Sequence, residues 1–219
     1  MRKALLYIII SLQALVAIAQ PERSDTLAQY LFPSFTRGIV KARNGTTYSL
    51  VMNYNVVTGK MVFLQKGICL DLANPEAVDT VLLEGARFIA GEGCFLEVIF
   101  TGKISFFARH GGKIAAPEVE TGYGTKSEST IAHLYQGLDV PGGVYNIRLP
   151  DGYKVRNETS YLLQKGSDRV MFMNENQLVK ALPGHEKEIK DFIKLKRLKI
   201  SRRADLVQIA DFCNSLDSK

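Results

Sequence analysis

Residues 48–57 limit most strongly what this chain can fold into. Tyr48, Leu50, Met52, Tyr54 and Val56 point one way, and Ser49, Val51, Asn53, Asn55 and Val57 the other. Alternation of this length describes a strand with one buried face. Shorter runs of the same kind surround it, at 35–42, 60–65, 68–73, 80–83, 94–100 and 104–110. Asn44-Gly45, Thr58-Gly59, Gly67, Asn74-Pro75, Gly91-Glu92-Gly93 and Gly102 break the joins. Asn-Gly tolerates positive φ at both positions and is a strong hairpin signal. Tight turns in succession join antiparallel neighbours, so the expected core is a curved antiparallel meander. Residues 27–32 form either an edge strand or one helical turn ahead of it.

Past His110 the alternation fails. Residues 111–143 are rich in Gly, Ser and Thr and read as a long loop, with a short helix at 131–138. A loop of this length is either functional or disordered. Strand signals return at 144–149, 153–155, 159–164 and 169–173, with a hairpin turn at 165–168. The end is helical. Asn174 and Gln177 form a capping-box pair, followed by Leu178, Val179, Ala181 and Leu182, and Pro183-Gly184 stops that helix. A second helix carries Ile189, Phe192 and Ile193. Ser201 can cap a third, where Leu206, Ile209, Ala210, Cys213 and Leu216 recur at helical spacing. The expected class is α+β, mainly β: a curved antiparallel meander with a C-terminal helical cap. The expected organisation is a signal peptide at 1–19, an antiparallel β domain at 20–173 and a helical segment at 174–219 packed on it.

The first residues read as an export signal. Arg2 and Lys3 precede an apolar stretch, and Ala17-Ile18-Ala19 is a small-x-small cleavage site, so the mature chain is expected to begin at Gln20. Ser11 and Gln13 interrupt the apolar run, which is short for a bilayer span of about 20 residues. No later stretch suits a span. The expected location is the periplasm or cell envelope. The net charge of +6 falls to +4 once Arg2 and Lys3 are gone, too mild to argue for nucleic acid. Residues 194–203 carry six positive charges between helical segments. Export speaks against a DNA reader there. A solvated face is expected, with a patch for anionic lipid or a sugar polyanion as the weaker alternative.

No catalytic constellation is found. His110, His133 and His185 have no metal-ligand spacing, so neither metal nor cofactor is expected. His110-Gly111-Gly112 has the form of an esterase oxyanion loop, but no G-x-S-x-G nucleophile elbow accompanies it. Asp71, Asp79, Glu84 and Glu97 lie in or beside strands. Solvated outward carboxylates are expected, and a glycosidase-like pair is the alternative. Export permits cysteine pairing, and Cys69 and Cys94 both sit in predicted strands and could be bridged. Three small buried apolar residues, Cys213 included, is the plainer expectation. Tyr123, Tyr135, Tyr145 and Tyr153 cluster in and after the loop, for packing or for contact with glycan or peptide.

At residues 30–35, with Gly38-Ile39-Val40, residues 50–55, Met61-Val62-Phe63 and residues 78–81, the chain resembles a group of exported β-rich proteins of Bacteroidetes bacteria. Residues 188–193 and Asp205-Leu206 are similar too. The resemblance implies an envelope location and brings no catalytic residues with it. The leading functional expectation is a non-enzymatic module that binds another envelope protein or a surface molecule, with edge strands able to accept a partner strand. The alternative is a carrier holding an apolar, lipid-like ligand between curved sheet and helices, in a cavity lined by Leu50, Met52, Tyr54, Phe63 and Val98. A hydrolase with dispersed catalytic residues comes third.

Overall fold

A computed structural model describes residues 28–115, 119–120, 126–127 and 154–216. The export signal, the helix at 131–138, the strand at 144–149, His133 and Tyr123, Tyr135, Tyr145 and Tyr153 lie outside these residues. The architecture is one ten-stranded antiparallel sheet with three helices near the C-terminus.

The strands are β1 (Thr36–Ala42), β2 (Thr47–Asn55), β3 (Lys60–Gln65), β4 (Ile68–Asp71), β5 (Val78–Leu83), β6 (Ala86–Ala90), β7 (Phe95–Phe100), β8 (Ile104–Ala115), β11 (Lys154–Lys165) and β12 (Asp168–Phe172); between β8 and β11, β9 (Val119–Glu120) and β10 (Lys126–Ser127) form a separate pair. The order across the main sheet is β12-β11-β8-β7-β6-β5-β1-β2-β3-β4. It is therefore two meanders joined at β1. The first runs outward from β1 to β4. The chain then returns through a 3-10 turn, Pro75–Ala77, and β5 pairs with the free side of β1. Arg43 anchors the return link: its backbone N–H donates to the Ala77 carbonyl at 2.8 Å and its Nε to the Glu76 carbonyl at 2.8 Å.

Three local features differ from the sequence expectation. β6 has no counterpart in it. The strand is short, and its turn uses Glu84 at φ 50° and Gly85 at φ 74°, a pair of left-handed residues that matches strand twist. β8 does not stop at His110 but continues through Gly111 and Gly112 to Ala115, correcting the start of the expected loop at 111–143. A Cβ on Gly112 would lie 2.7 Å from a Val56 methyl and 2.9 Å from one of Val155, so glycine here permits close packing and does not mark a loop. Finally, 154–165 is one strand, not two.

The sheet is strongly coiled. Between β2 and β7 lie four strand spacings, about 19 Å if the sheet were flat. Yet the Tyr54 hydroxyl on β2 reaches the Phe95 carbonyl at 3.2 Å and the His110 carbonyl of β8 at 3.0 Å. Tyr54 also stacks on Phe88 of β6 with centroids 5.7 Å apart. The interior of this coil is filled by Val40, Met52, Tyr54, Met61, Val81 and Phe88, among others.

The burial of β2 follows the alternation only in part: Met52 and Tyr54 are buried and Leu50 half-buried, but Tyr48, expected on the same buried face, is 50% exposed at the start of the strand. Asn53 and Asn55, on the face expected to be outward, are both buried. The lead-in covers them: Tyr30 forms an antiparallel bridge with Asn55, and Gln29 and Leu31 form backbone bonds with Val56 and Tyr54, so this stretch runs extended beside β2 and is not a helical turn. Asn53 acts as a one-residue strand partner for Phe32, its Oδ1 accepting from the Phe32 N–H at 3.1 Å and its Nδ2 donating to the Phe32 carbonyl at 2.9 Å. Asn53→Ala should leave those backbone groups bare and cost about 2–3 kcal/mol. Thermal unfolding gives the loss, and amide exchange at Phe32 should accelerate before global unfolding. Slow exchange at Phe32 in the variant would show that the lead-in is held by other means.

The helices are α1 (Glu175–Lys180), α2 (Glu186–Lys196) and α3 (Arg203–Leu216). Asn174 caps α1 as expected, accepting from the Gln177 N–H at 3.0 Å, while Gln177 reaches back to the Met173 N–H at 2.7 Å. Leu178, Ile189, Ile193, Leu206, Ile209 and Cys213 cover Phe106, Tyr161, Leu163 and Phe172 of the sheet. Asn214 repeats the device of Asn53, exchanging two bonds with Ile104 at 3.0 and 2.8 Å. No helix of the described residues is long and apolar enough to cross a membrane.

Candidate functional site

One row of cross-strand partners runs Val40, Val81, Phe88, Glu97, Ala108, Tyr161, Phe172. All seven are buried, and one is charged: Glu97, 6% exposed. It stands between the core inside the coil and the core under the helices. A lone buried carboxylate is costly unless paired and hydrogen-bonded. Two groups supply the pairing. His110, two residues beyond Ala108 on β8, places Nε2 2.7 Å from Glu97 Oε2. The carboxylate can only accept, so Nε2 carries the proton. Arg203, the first residue of α3, donates Nε to Oε1 at 2.7 Å. Burial pushes the Glu97 carboxyl up. The hydrogen bonds and positive charges of His110 and Arg203 outweigh it and hold the group below the ordinary carboxylate range. Two residues expected to be plain surface groups thus become structural: Glu97, read as a solvated carboxylate, and Arg203, read as part of a solvated basic face. Asp71 is a second correction of that kind, buried and 3.3 Å from Lys60. Asp79 and Glu84 are exposed as expected.

Beside His110 a cleft of about 540 Å³ opens between the turn after β2 and the far ends of β8, β11 and β12. Arg109, Lys113, Glu158, Ser160, Met171 and Met173 contribute to its wall. It lies where β12 stops and β11 runs on. β12 pairs only with Tyr161–Lys165, and among the described residues no strand covers the outer side of Glu158 to Ser160. Met171 and Met173 are 47% and 58% exposed there. Large apolar side chains exposed on an edge strand are unusual, because such edges are normally guarded against further pairing. The Lys113 ammonium sits 3.0 Å from Glu158 Oε2. The Arg109 guanidinium, exposed, lies close enough to the Cys94 thiol to draw it towards ionisation, and has no carboxylate in ion-pair range among the described residues.

A buried carboxylate holding a histidine is also half of a hydrolytic triad. The other half is missing among the described residues, where no Ser, Thr or Cys side chain hydrogen-bonds to His110. Burial pushes the Cys94 thiol up, Arg109 pulls it back only in part, and Glu92 adds to the rise, so Cys94 stays protonated and is a poor nucleophile. No group of three His, Cys, Asp or Glu among the described residues gathers as a metal site would require.

The residues proposed to line an apolar cavity do not stay together. Met52 and Tyr54 are solvent-excluded in the coil, with Leu50 and Phe63 packed half-buried against them. Val98 belongs to another cluster, with Phe107 and Leu162. On β7 it alternates with Glu97 and points to the opposite face. Cys69, Cys94 and Cys213 are free thiols here, so the possible bridge between Cys69 and Cys94 is not formed. Cys213 packs in the helical core, where burial pushes its thiol up to about 12.

Glu97 could have drawn attention in the sequence as the charged member of the set Phe95, Glu97, Ile99. The signal was masked because Leu96, Val98 and Phe100, on the other face, are apolar as well. Searches against protein-family models, curated proteins and solved structures find no match to this chain.

Proposed function

We propose that this chain is an exported, non-catalytic binding module of the cell envelope, and that its partner is held in the cleft at the far end of β8. The observation that carries the reading is the cleft itself, set at a step in the sheet edge with Met171 and Met173 exposed beside it. An extended partner segment can pair with the edge of β11 and project side chains into such a cleft. The coil interior is filled by large side chains, which favours the surface over the inside of the sheet as the binding place. The engagement of His110 with Glu97, with no nucleophile hydrogen-bonded to it among the described residues, supports a non-catalytic role. Export and an envelope location rest on residues 1–19 and on the resemblance to exported proteins of Bacteroidetes.

Ser160→Trp tests the reading, because it places an indole in the cleft from a half-buried strand position. The purified chain and the variant, matched for circular dichroism, are used to capture partners from envelope extract. The expected result is one component bound by the parent and lost by the variant, with bound parent showing slowed amide exchange at Ser160, Met171 and Met173. Equal capture by both chains, or protection confined to another surface, would overturn it.

A further inference from the structure

The cleft has an imbalance of charge and of hydrogen-bonding groups that says what it accepts. Among the described residues its charged side chains are Arg109, Lys113 and Glu158, with the His110 imidazole beside them. Glu158, the single carboxylate, is already matched by Lys113 at 3.0 Å. His110 is turned to Glu97, whose second oxygen holds Arg203. Glu92 stands near Cys94, fully solvated, and its contact is with Arg169 at 3.9 Å. Among the described residues, Arg109 remains as a cation with no carboxylate in ion-pair range.

The surroundings of Arg109 are built from donors. Ser160 is its cross-strand partner on β11 and shares its face of the sheet. Directly opposed side chains have their Cβ atoms about 5 Å apart, and a serine there leaves room over the guanidinium. The Cys94 thiol lies against it on the β7 side. Thr58, across the cleft, has a buried hydroxyl oxygen with no hydrogen-bond partner among the described residues. Gly59 and Gly93 bring bare backbone to the same wall. With Lys113 taken up by Glu158, the Arg109 guanidinium and the hydroxyls of Ser160 and Thr58 are groups of this wall that can donate to a bound oxygen. A planar guanidinium presents paired N–H groups that match two oxygens on one carbon or phosphorus.

We infer that the cleft is an oxyanion site, in which Arg109 takes a carboxylate or phosphate group of the bound partner and Ser160 contributes a hydrogen bond to it. This rests on the reading of the cleft as the binding place and names the chemistry of what enters it. Lys113 and Glu158 form its polar rim. Met171 and Met173 flank it as an apolar shelf for whatever carries the anion.

The test is a titration of the purified chain with inorganic phosphate and, separately, with sodium acetate. Sodium chloride at matched ionic strength serves as reference. The readout is the set of backbone amide signals of Gly93, Cys94 and Ser160 together with the Arg109 Nε–H signal. Saturable shifts centred on these groups are expected, with binding weakened at least about tenfold in Arg109→Gln and partly retained in Arg109→Lys. Arg109 is exposed, so both variants should fold. Tighter binding of phosphate would assign a phosphate group, and tighter binding of acetate a carboxylate. Shifts no larger than those of chloride, or unchanged in Arg109→Gln, would overturn the inference. If oxyanions leave the cleft untouched while Ser160→Trp abolishes partner capture, the anion chemistry falls and the binding place stands. If oxyanions bind at Arg109 and Ser160→Trp captures as the parent does, the reverse holds.

Discussion

Tyr54→Ala should lower the unfolding free energy by about 4 kcal/mol, the largest loss of any single truncation in the coil. The ring lies between Phe88 and His110, with centroids 5.7 and 6.0 Å away. Its removal leaves a void that the surrounding strands cannot close, because their pairing fixes their positions. It also strips the hydroxyl from the carbonyls of Phe95 and His110, on the neighbouring strands β7 and β8 that Tyr54 reaches from across the coil. Tyr54→Phe separates the two effects. It keeps the ring packing and removes only the hydroxyl shared between the two carbonyls, for a loss of about 1–1.5 kcal/mol. Urea unfolding should show both as a lower midpoint at an unchanged slope. A loss below about 2 kcal/mol for the alanine variant would mean that the sheet does not close over this ring.

Glu97→Gln should change how stability depends on pH. The folded carboxyl lies below its ordinary range, while in the unfolded chain it titrates at about 4.3. A group of this kind adds stability that is fully present above its unfolded pKa. That contribution is lost as pH falls through the folded value. The parent should therefore weaken on acidification from about pH 4.3 downward. The glutamine variant, with nothing to titrate at this position, should show a shallower acid limb. At pH 7 it should be less stable by about 2–3 kcal/mol, towards the low end for a broken buried pair. The low end applies because the Arg203 side chain, 54% exposed, can turn to water. Unfolding midpoints from pH 3 to 7 decide it: parallel acid limbs for the two chains would mean that Glu97 is not the group whose protonation matters.

Some of this was legible in the sequence, and the reasons differ from place to place. The buried face of β2 could be read from Leu50 to Val56, where the apolar residues alternate, but not at Tyr48, which the same alternation placed inside and the structure leaves half exposed. The cap of α1 could be read because Asn174 and Gln177 stand at the spacing at which their bonds form. β6 could not: Ala86–Ala90 is short and contains two alanines and an arginine, which fit a loop as well as a strand. Gly111-Gly112 misled because glycine usually ends a strand, whereas here the partner side chains Val56 and Val155 need the missing Cβ. The return of β5 to β1 was invisible, since a short link can hop over other strands only if the sheet is coiled, and coiling is a property of the assembled sheet. Arg203 was hidden in a run of like charges. Nothing local distinguishes the one residue that turns inward to Glu97.

The separations at which the decisive bonds are made have a consequence for how the molecule is assembled. The Tyr54 hydroxyl bond to the His110 carbonyl spans 56 positions. The Glu97–Arg203 contact spans 106, and the pairing of Ile104 with Asn214 spans 110. Such contacts are expensive to find, because the loop they close must be ordered before they reward it. A chain emerging from its N-terminus cannot fix Tyr54 until β8 is out, nor secure the sheet under its helices until the last turn of α3 has followed. The local pairings of β1 to β4 need none of these contacts, so what the last helix adds is the closing of the sheet and not its first strands. Until that closing happens the strands of both meanders have open edges, so a chain arrested before Asn214 would be a substrate for chaperones and proteases and not a smaller working version of the protein.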